Sequence, residues 1–234
     1  ITSWFRTEAY YASGGWRATW EGEGGGVLLN QCPHNLDLMQ WLTGMPTKVM
    51  GFCNLGKRHT IEVEDEVTAY LEYENGATGT FITSTGEAPG ENRLTIAGER
   101  GKLVVEGSSI SFTRTEEPVD EFLKTSKKGF AQPGTWNIDI PFRGDNLQHV
   151  GILRNYIDAI LDGADLIAPA AEGIRSVELS NAMLYSSMTG KPVDMPLDGE
   201  AYEKLLKKLI EESTFEKQTT KEAADEDLNA SFMK

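Results

Sequence analysis

Asn30, His34 and Asp37 are the residues whose types and spacing can do chemistry. Four and three residues apart, they share one face of the segment if it is helical. The His34 imidazole can accept or donate a proton near neutral pH, which suits general acid–base work on a hydroxyl or carbonyl. Asp37 can orient it by accepting a ring N–H. Asn30 can hold a substrate hydroxyl, although its amide cannot act as a base. Bland readings stand beside these: a buried or capping histidine, an Asn helix cap, and an exposed first-turn acid favoured by the helix dipole.

The elements that must position these groups surround them closely. Gly24-Gly25-Gly26 lead into an apolar pattern from Val27, and Pro33 falls between Asn30 and His34. Proline removes one backbone donor and disfavours the helical basin at Cys32, so the helix is distorted there or begins at Pro33. The glycines permit either close approach to a ligand or a left-handed turn into the helix, and the first is favoured here. Upstream, residues 10–26 lack periodicity and read as a long loop rich in aromatic residues. Tyr10, Tyr11, Trp16 and Arg17 can form a stacking and hydrogen-bonding wall for a sugar ring, or pin the loop to the domain. His149, ahead of a periodic helix, can face the same pocket or lie on the surface. His59 sits in a polar turn and is expected to be exposed. Asp65 is expected to fix a strand start or to support the site from behind. A Cys32/His34 nucleophilic dyad is disfavoured, because the thiol has no other basic activator.

Composition narrows the class. Of 234 residues, 39% are hydrophobic and 25% charged, as in water-soluble globular domains. Neither a membrane-spanning apolar run nor a signal peptide is legible. Cys32 and Cys53 cannot build a disulfide framework or a metal site, so no metal is expected and a reducing cytoplasm is the simplest compartment. A net charge of −14 argues against nucleic acid. The first 60 residues nevertheless carry +1, leaving −15 on the rest, so only this quarter tolerates an anionic ligand. The opening Ile1 suggests that the chain begins partway through a longer protein.

A short strand is expected over 2–6 and a helix from Val27 or Pro33 to Leu42, stopped by Gly44. Strands follow near 48–53, 66–73, 77–83, 93–96, 102–105 and 109–112, with Asn75-Gly76 a hairpin signal. Residues 115–145, polar and rich in Pro and Gly, read as an excursion or lid. Helices are expected at 147–162, 173–188 and 200–212. Consecutive strands with short turns imply an α+β fold: an open, predominantly antiparallel sheet with helices packed on one face. Residues 1–216 form the domain, and 217–234 a charged, disordered tail.

The chain resembles the carboxy-terminal domain of the Gfo/Idh/MocA oxidoreductases, a dihydrodipicolinate reductase-like fold. The likeness rests on Gly24-Gly25-Gly26-Val27-Leu28-Leu29, His34-Asn35-Leu36-Asp37-Leu38, Trp41-Leu42-Thr43-Gly44 and Val63-Glu64-Asp65-Glu66-Val67-Thr68-Ala69. It continues through Glu74-Asn75-Gly76-Ala77, Ile96-Ala97-Gly98-Glu99-Arg100-Gly101, Ala159-Ile160-Leu161-Asp162-Gly163 and Gly190-Lys191-Pro192-Val193. The resemblance implies a sugar or polyol substrate and NAD or NADP held mainly by a Rossmann half absent from this chain. It also implies a homodimer or homotetramer formed through the open sheet face. It places His34 at the family's catalytic histidine and Asn30 where the family has an aspartate. Apart from the resemblance, Gln31 is expected beside the cofactor, and Tyr10, Tyr11, Trp16, Arg17 and His149 beside the substrate. Two other activities fit the same scaffold: an NAD-assisted glycoside hydrolase and a non-catalytic sugar sensor.

Overall fold

The computed structural model describes residues 1–107, 109–141 and 147–219. Its elements run β1 (Thr2–Ser3), α1 (Glu8–Ala12), α2 (Val27–Asn30), α3 (Pro33–Thr43), β2 (Lys48–Leu55), β3 (Glu64–Glu72) and β4 (Thr78–Ser84). Then come β5 (Arg93–Gly98), β6 (Gly101–Glu106), β7 (Ser109–Thr115), α4 (Val119–Thr125), β8 (Thr135–Asp139) and α5 (Gln148–Asp162). A 3-10 turn at Ala170–Gly173 leads into α6 (Ile174–Thr189), followed by β9 (Val193–Asp194) and α7 (Gly199–Glu212). The α+β class is as the sequence implies, but the strands divide between two sheets in two compact units.

The larger unit holds residues 2–90 and 169–234. Its sheet has the order β1-β4-β3-β2-β9, antiparallel except for the β1–β4 edge pair. Alternation along β3 explains its two faces. Val67, Ala69 and Leu71 are fully buried, and they join Leu28, Cys32, Leu36, Leu179, Ala182 and Met183 of the helices in one core. Phe52 and Tyr70 are exposed large hydrophobic residues on β2 and β3. The Asn75-Gly76 turn closes β3–β4 as expected, with Gly76 at φ +81 and Tyr73 N–H donating to the Ala77 carbonyl at 3.0 Å.

Helix α6 lies close on β2 because Gly51 has no side chain. A Cβ there would sit 2.2 Å from the Met183 carbonyl oxygen. Strand β9 pairs only with Lys48 and Val49. Further along β2, Gly51 N–H donates to Ser186 Oγ (3.0 Å) and Cys53 N–H to Ser187 Oγ (2.8 Å). Two helix serines thus satisfy backbone donors that the short edge strand leaves open.

The second unit, Ile1 and residues 91–168, holds the antiparallel sheet β5-β6-β7-β8. Strand β8 and helix α4 fall inside the region read as an irregular excursion. In β8 only Trp136 and Ile138 are strongly apolar, which gave the sequence little alternation to show. Helix α5 ends at left-handed Gly163, and Asn155 secures the chain beyond it through Asp165 and Ile167.

Candidate functional site

Proline decides the geometry of the opening motif. Helix α2 ends at Asn30, and α3 starts afresh with Pro33 at its first turn, where a missing N–H costs nothing. Asn30 and His34 therefore stand on different helices rather than one turn apart on the same one. The start of α2 is fixed from β3. Fully buried Glu64 accepts from the amides of Gly26 (2.8 Å) and Leu28 (3.0 Å) through Oε1. Gly26 is required because a Cβ would lie 2.1 Å from the Glu64 carbonyl oxygen. The close approach expected of the glycine run is thus to the protein's own backbone, not to a ligand. Burial outweighs these two donors and pushes the Glu64 carboxyl up to about 7. Its Oε2 is buried and without a partner, as is the Tyr202 hydroxyl.

Around Asn30 the loop and helix residues close into a network. Tyr10 Oη donates to Asn30 Oδ1 at 3.0 Å and accepts from Arg17 Nη1 at 2.9 Å. Gln31 Nε2 donates to both Tyr10 Oη (3.0 Å) and Asn30 Oδ1 (2.9 Å). Asn30 Nδ2 donates to Glu23 Oε1, while Glu23 Oε2 accepts from the Ala18 amide at 2.6 Å. Ala18 is fully buried at φ +54, a strained conformation that this bond helps to hold. Burial raises the Glu23 carboxyl above its ordinary range, against the opposing pull of these donors and of Arg17 and Lys217. Arg17 also lies over the Trp16 ring, 4.5 Å from its centroid.

Four of the residues singled out in the sequence, Tyr10, Arg17, Asn30 and Gln31, are thus brought into direct contact, with Trp16 beside them. The others are not. His34 is exposed and has no hydrogen-bond partner among the described residues. Asp37 is also exposed, and its Oδ1 accepts from Gln40 Nε2 at 2.9 Å, so it does not orient the imidazole. Tyr11 is 3% exposed and donates to Thr85 Oγ1 at 2.8 Å, which makes it a pin for the loop rather than a wall of the site. His149 is exposed on α5 in the other unit. Cys32 is fully buried against Thr83, and burial pushes its thiol up to about 12, far from a nucleophilic thiolate.

His59, read as exposed, is buried instead. Its Nδ1 lies 3.1 Å from Asp65 Oδ2 and its Nε2 3.0 Å from the Arg6 carbonyl. Asp65 also accepts from the amides of Lys57, Arg58 and His59, so it organises this turn from a fully buried position. Sequence reasoning missed Arg6 and Glu23 altogether. Glu23, seven residues before Asn30, carried no periodic signal, and Arg6 enters through tertiary contacts alone. Lys217 Nζ donates to the Tyr11 carbonyl at 2.6 Å, so the expected tail begins in contact with the fold. Residues 220–234 of that expected tail lie outside the described residues.

The chain's own residues bear on nicotinamide nucleotide in two ways. Among the described residues no strand–glycine loop–helix phosphate cradle exists, and the Gly26 amide at the start of α2 is taken by Glu64. Gln31 Oε1, by contrast, is a buried acceptor with no partner on a residue only 4% exposed. It fits an amide N–H donor such as a nicotinamide carboxamide. Among the described residues no cluster of His, Cys, Asp or Glu is arranged to hold a metal ion. Nor is any described helix long and apolar enough to cross a membrane.

This sheet-and-helix frame, with Asn30 and His34 either side of the α2–α3 break, has relatives. Residues 1–104 match the family model of the GFO/IDH/MocA C-terminal domain. The WlbA dehydrogenase of Chromobacterium violaceum, solved with NADH and UDP-GlcNAcA, is 31% identical with a TM-score of 0.66. The match covers 84% of this chain and 53% of that one. WlbA from Bordetella pertussis, with the same two ligands, is 27% identical with a TM-score of 0.63, again over 84% and 53%. A levoglucosan dehydrogenase bound to NADH and levoglucosan shares the fold at 18% identity and a TM-score of 0.63, over 83% and 57%. No curated protein matches the sequence. Residues 1–104 are thus similar to the C-terminal domain of the GFO/IDH/MocA family, and the chain spans about half the length of these solved relatives.

Proposed function

We propose that this domain is the substrate-binding half of an NAD(P)-dependent oxidoreductase acting on a sugar, polyol or sugar derivative. The observation that carries the reading is the Tyr10–Arg17–Asn30–Gln31 network, with His34 exposed in the first turn of the next helix, α3. An aromatic hydroxyl, an arginine and two amides suit a polyhydroxylated ring, and Trp16 offers an apolar face. Two WlbA relatives bound to NADH and UDP-GlcNAcA support the same substrate chemistry.

In this reading His34 takes the proton of the substrate hydroxyl as the alcohol becomes a carbonyl, and returns it in the reverse direction. Its imidazole is exposed and engaged by no other side chain, so it is available for that contact. The nicotinamide, when bound, supplies hydride exchange at the same carbon. Asn30 takes no proton. Its carbonyl is occupied by Tyr10 and Gln31 and its amide by Glu23, so it holds the network in register. The exposed Phe52 and Tyr70 side chains on the sheet suit a subunit contact, in keeping with a homo-oligomer.

The test is NAD(P)H-linked turnover with a panel of sugars, sugar acids and inositols. A protein carrying this domain together with a nucleotide-binding half is expected to turn over, and His34→Ala to reduce kcat about 100-fold or more. The 234-residue chain alone is expected to be silent. Full activity after His34→Ala would overturn the assignment, as would turnover by the chain alone.

A further inference from the structure

Arg6 and Arg17 meet at Tyr10. Their guanidinium carbons lie 5.0 and 4.6 Å from its ring centroid, so the two cations are within about 10 Å of one another. Trp4 and Trp16 lie under the same two groups at 5.8 and 4.5 Å. Among the described residues neither arginine has a carboxylate within ion-pairing distance. Arg17 feels Glu23 at longer range, but both Glu23 oxygens are already engaged by Asn30 and Ala18. Arg6 donates from Nη1 to the Phe5 carbonyl only, and its Nε is buried with no acceptor.

Arg6 is also held in place. Its amide donates to the Thr85 carbonyl at 2.8 Å, and its own carbonyl faces His59 Nε2 at 3.0 Å. A clamped backbone and guanidinium groups held over aromatic rings limit their freedom, which favours arginine taking a carboxylate or phosphate through paired N–H groups. That an acidic protein places two cations without ion-pair partners at one tyrosine is not a solvated-face pattern. The remainder of the chain beyond residue 60 carries −15.

We propose that Arg6 and Arg17 form an anion-recognising subsite of the Tyr10 network, and that the substrate is a sugar bearing a carboxylate or phosphate. The substrate claim rests on the sugar-site reading above, whereas the anion subsite can be tested apart from it. Tryptophan fluorescence of the full chain is titrated with glucose, glucuronate, glucose 1-phosphate and inorganic phosphate, each at low and high salt. At least one acidic sugar is expected to bind about tenfold tighter than glucose, with affinity falling as salt rises. Glucuronate as the tighter ligand identifies a carboxylate, and glucose 1-phosphate a phosphate. Arg6→Gln and Arg17→Gln are each expected to lower that affinity about tenfold, and Arg6→Lys, which keeps the charge, to recover part of it. Inorganic phosphate binding as tightly as the acidic sugars would keep the anion subsite and overturn the sugar-site reading. Glucose binding as tightly as the acidic sugars would overturn the anion subsite alone. An acid preference that survives both glutamine variants would overturn it too, and no binding by any of the four would overturn both.

Discussion

Replacing Glu64 by glutamine tests the reasoning about how this site is built. The carboxyl is fully buried, with one oxygen capping α2 and the other unpartnered, and its folded pKa is about 7 against an ordinary 4.5. A raised acid pKa means that the folded protein holds the proton more tightly than the unfolded chain does. The associated stability is complete below about pH 4.5 and is lost as pH rises through 7. The difference corresponds to about 3 kcal/mol lost by pH 8. Glutamine keeps the acceptor for the Gly26 and Leu28 amides and carries no charge at any pH. Urea unfolding of both proteins is followed by tryptophan fluorescence between pH 5 and 8. Four of the five tryptophans (Trp4, Trp16, Trp20 and Trp41) lie in the same unit as Glu64. Near pH 5 the variant should match the parent within about 1 kcal/mol, because both side chains are neutral in the folded protein and most of the linked stability is still present. By pH 8 it should be the more stable by about 2.5 kcal/mol relative to that baseline. A stability difference that stays flat across this range would refute the account of a buried, uncompensated carboxylate.

Other outcomes follow from the same geometry. Asn30→Asp places a second carboxylate against Glu23 and should destabilise the protein by about 2 kcal/mol at pH 8, with Glu23→Gln in the same chain restoring most of it. A double-mutant cycle by thermal melting measures this, and additive effects would contradict the contact. Gly51→Ala drives a methyl into the Met183 carbonyl and should cost about 3 kcal/mol, read as a lowered urea midpoint with an unchanged slope. Cys32 should resist alkylation in the native protein and react once the chain is unfolded in urea, as mass spectrometry of iodoacetamide-treated samples would show.

Much of the frame was legible before any coordinates. Pro33 marked a distortion or a fresh helix start, because its ring sets φ and removes a donor wherever it stands, and the structure chose the fresh start. Asn75-Gly76 fixed a hairpin, and apolar spacing placed α5, α6 and α7 within a residue or two. These signals are local: each follows from the backbone preferences of a few neighbouring residues. The α+β class followed from them, but the division into two sheets and the parallel β1–β4 pair did not, since strand partners are chosen by contacts far apart in sequence.

The site divides along the same line. Sequence alone marked Tyr10, Arg17 and Asn30 as polar and aromatic groups crowded around a glycine entry and a proline break, and named Gln31 only as a cofactor contact. Only the tertiary structure joined them to Glu23 and Arg6, turned Tyr11 inward, separated Asp37 from His34 and buried His59 against Asp65. Burial and unpartnered donors are properties of the packed chain. A histidine or arginine looks alike in sequence whether it faces water or a carbonyl, and the fold decides which.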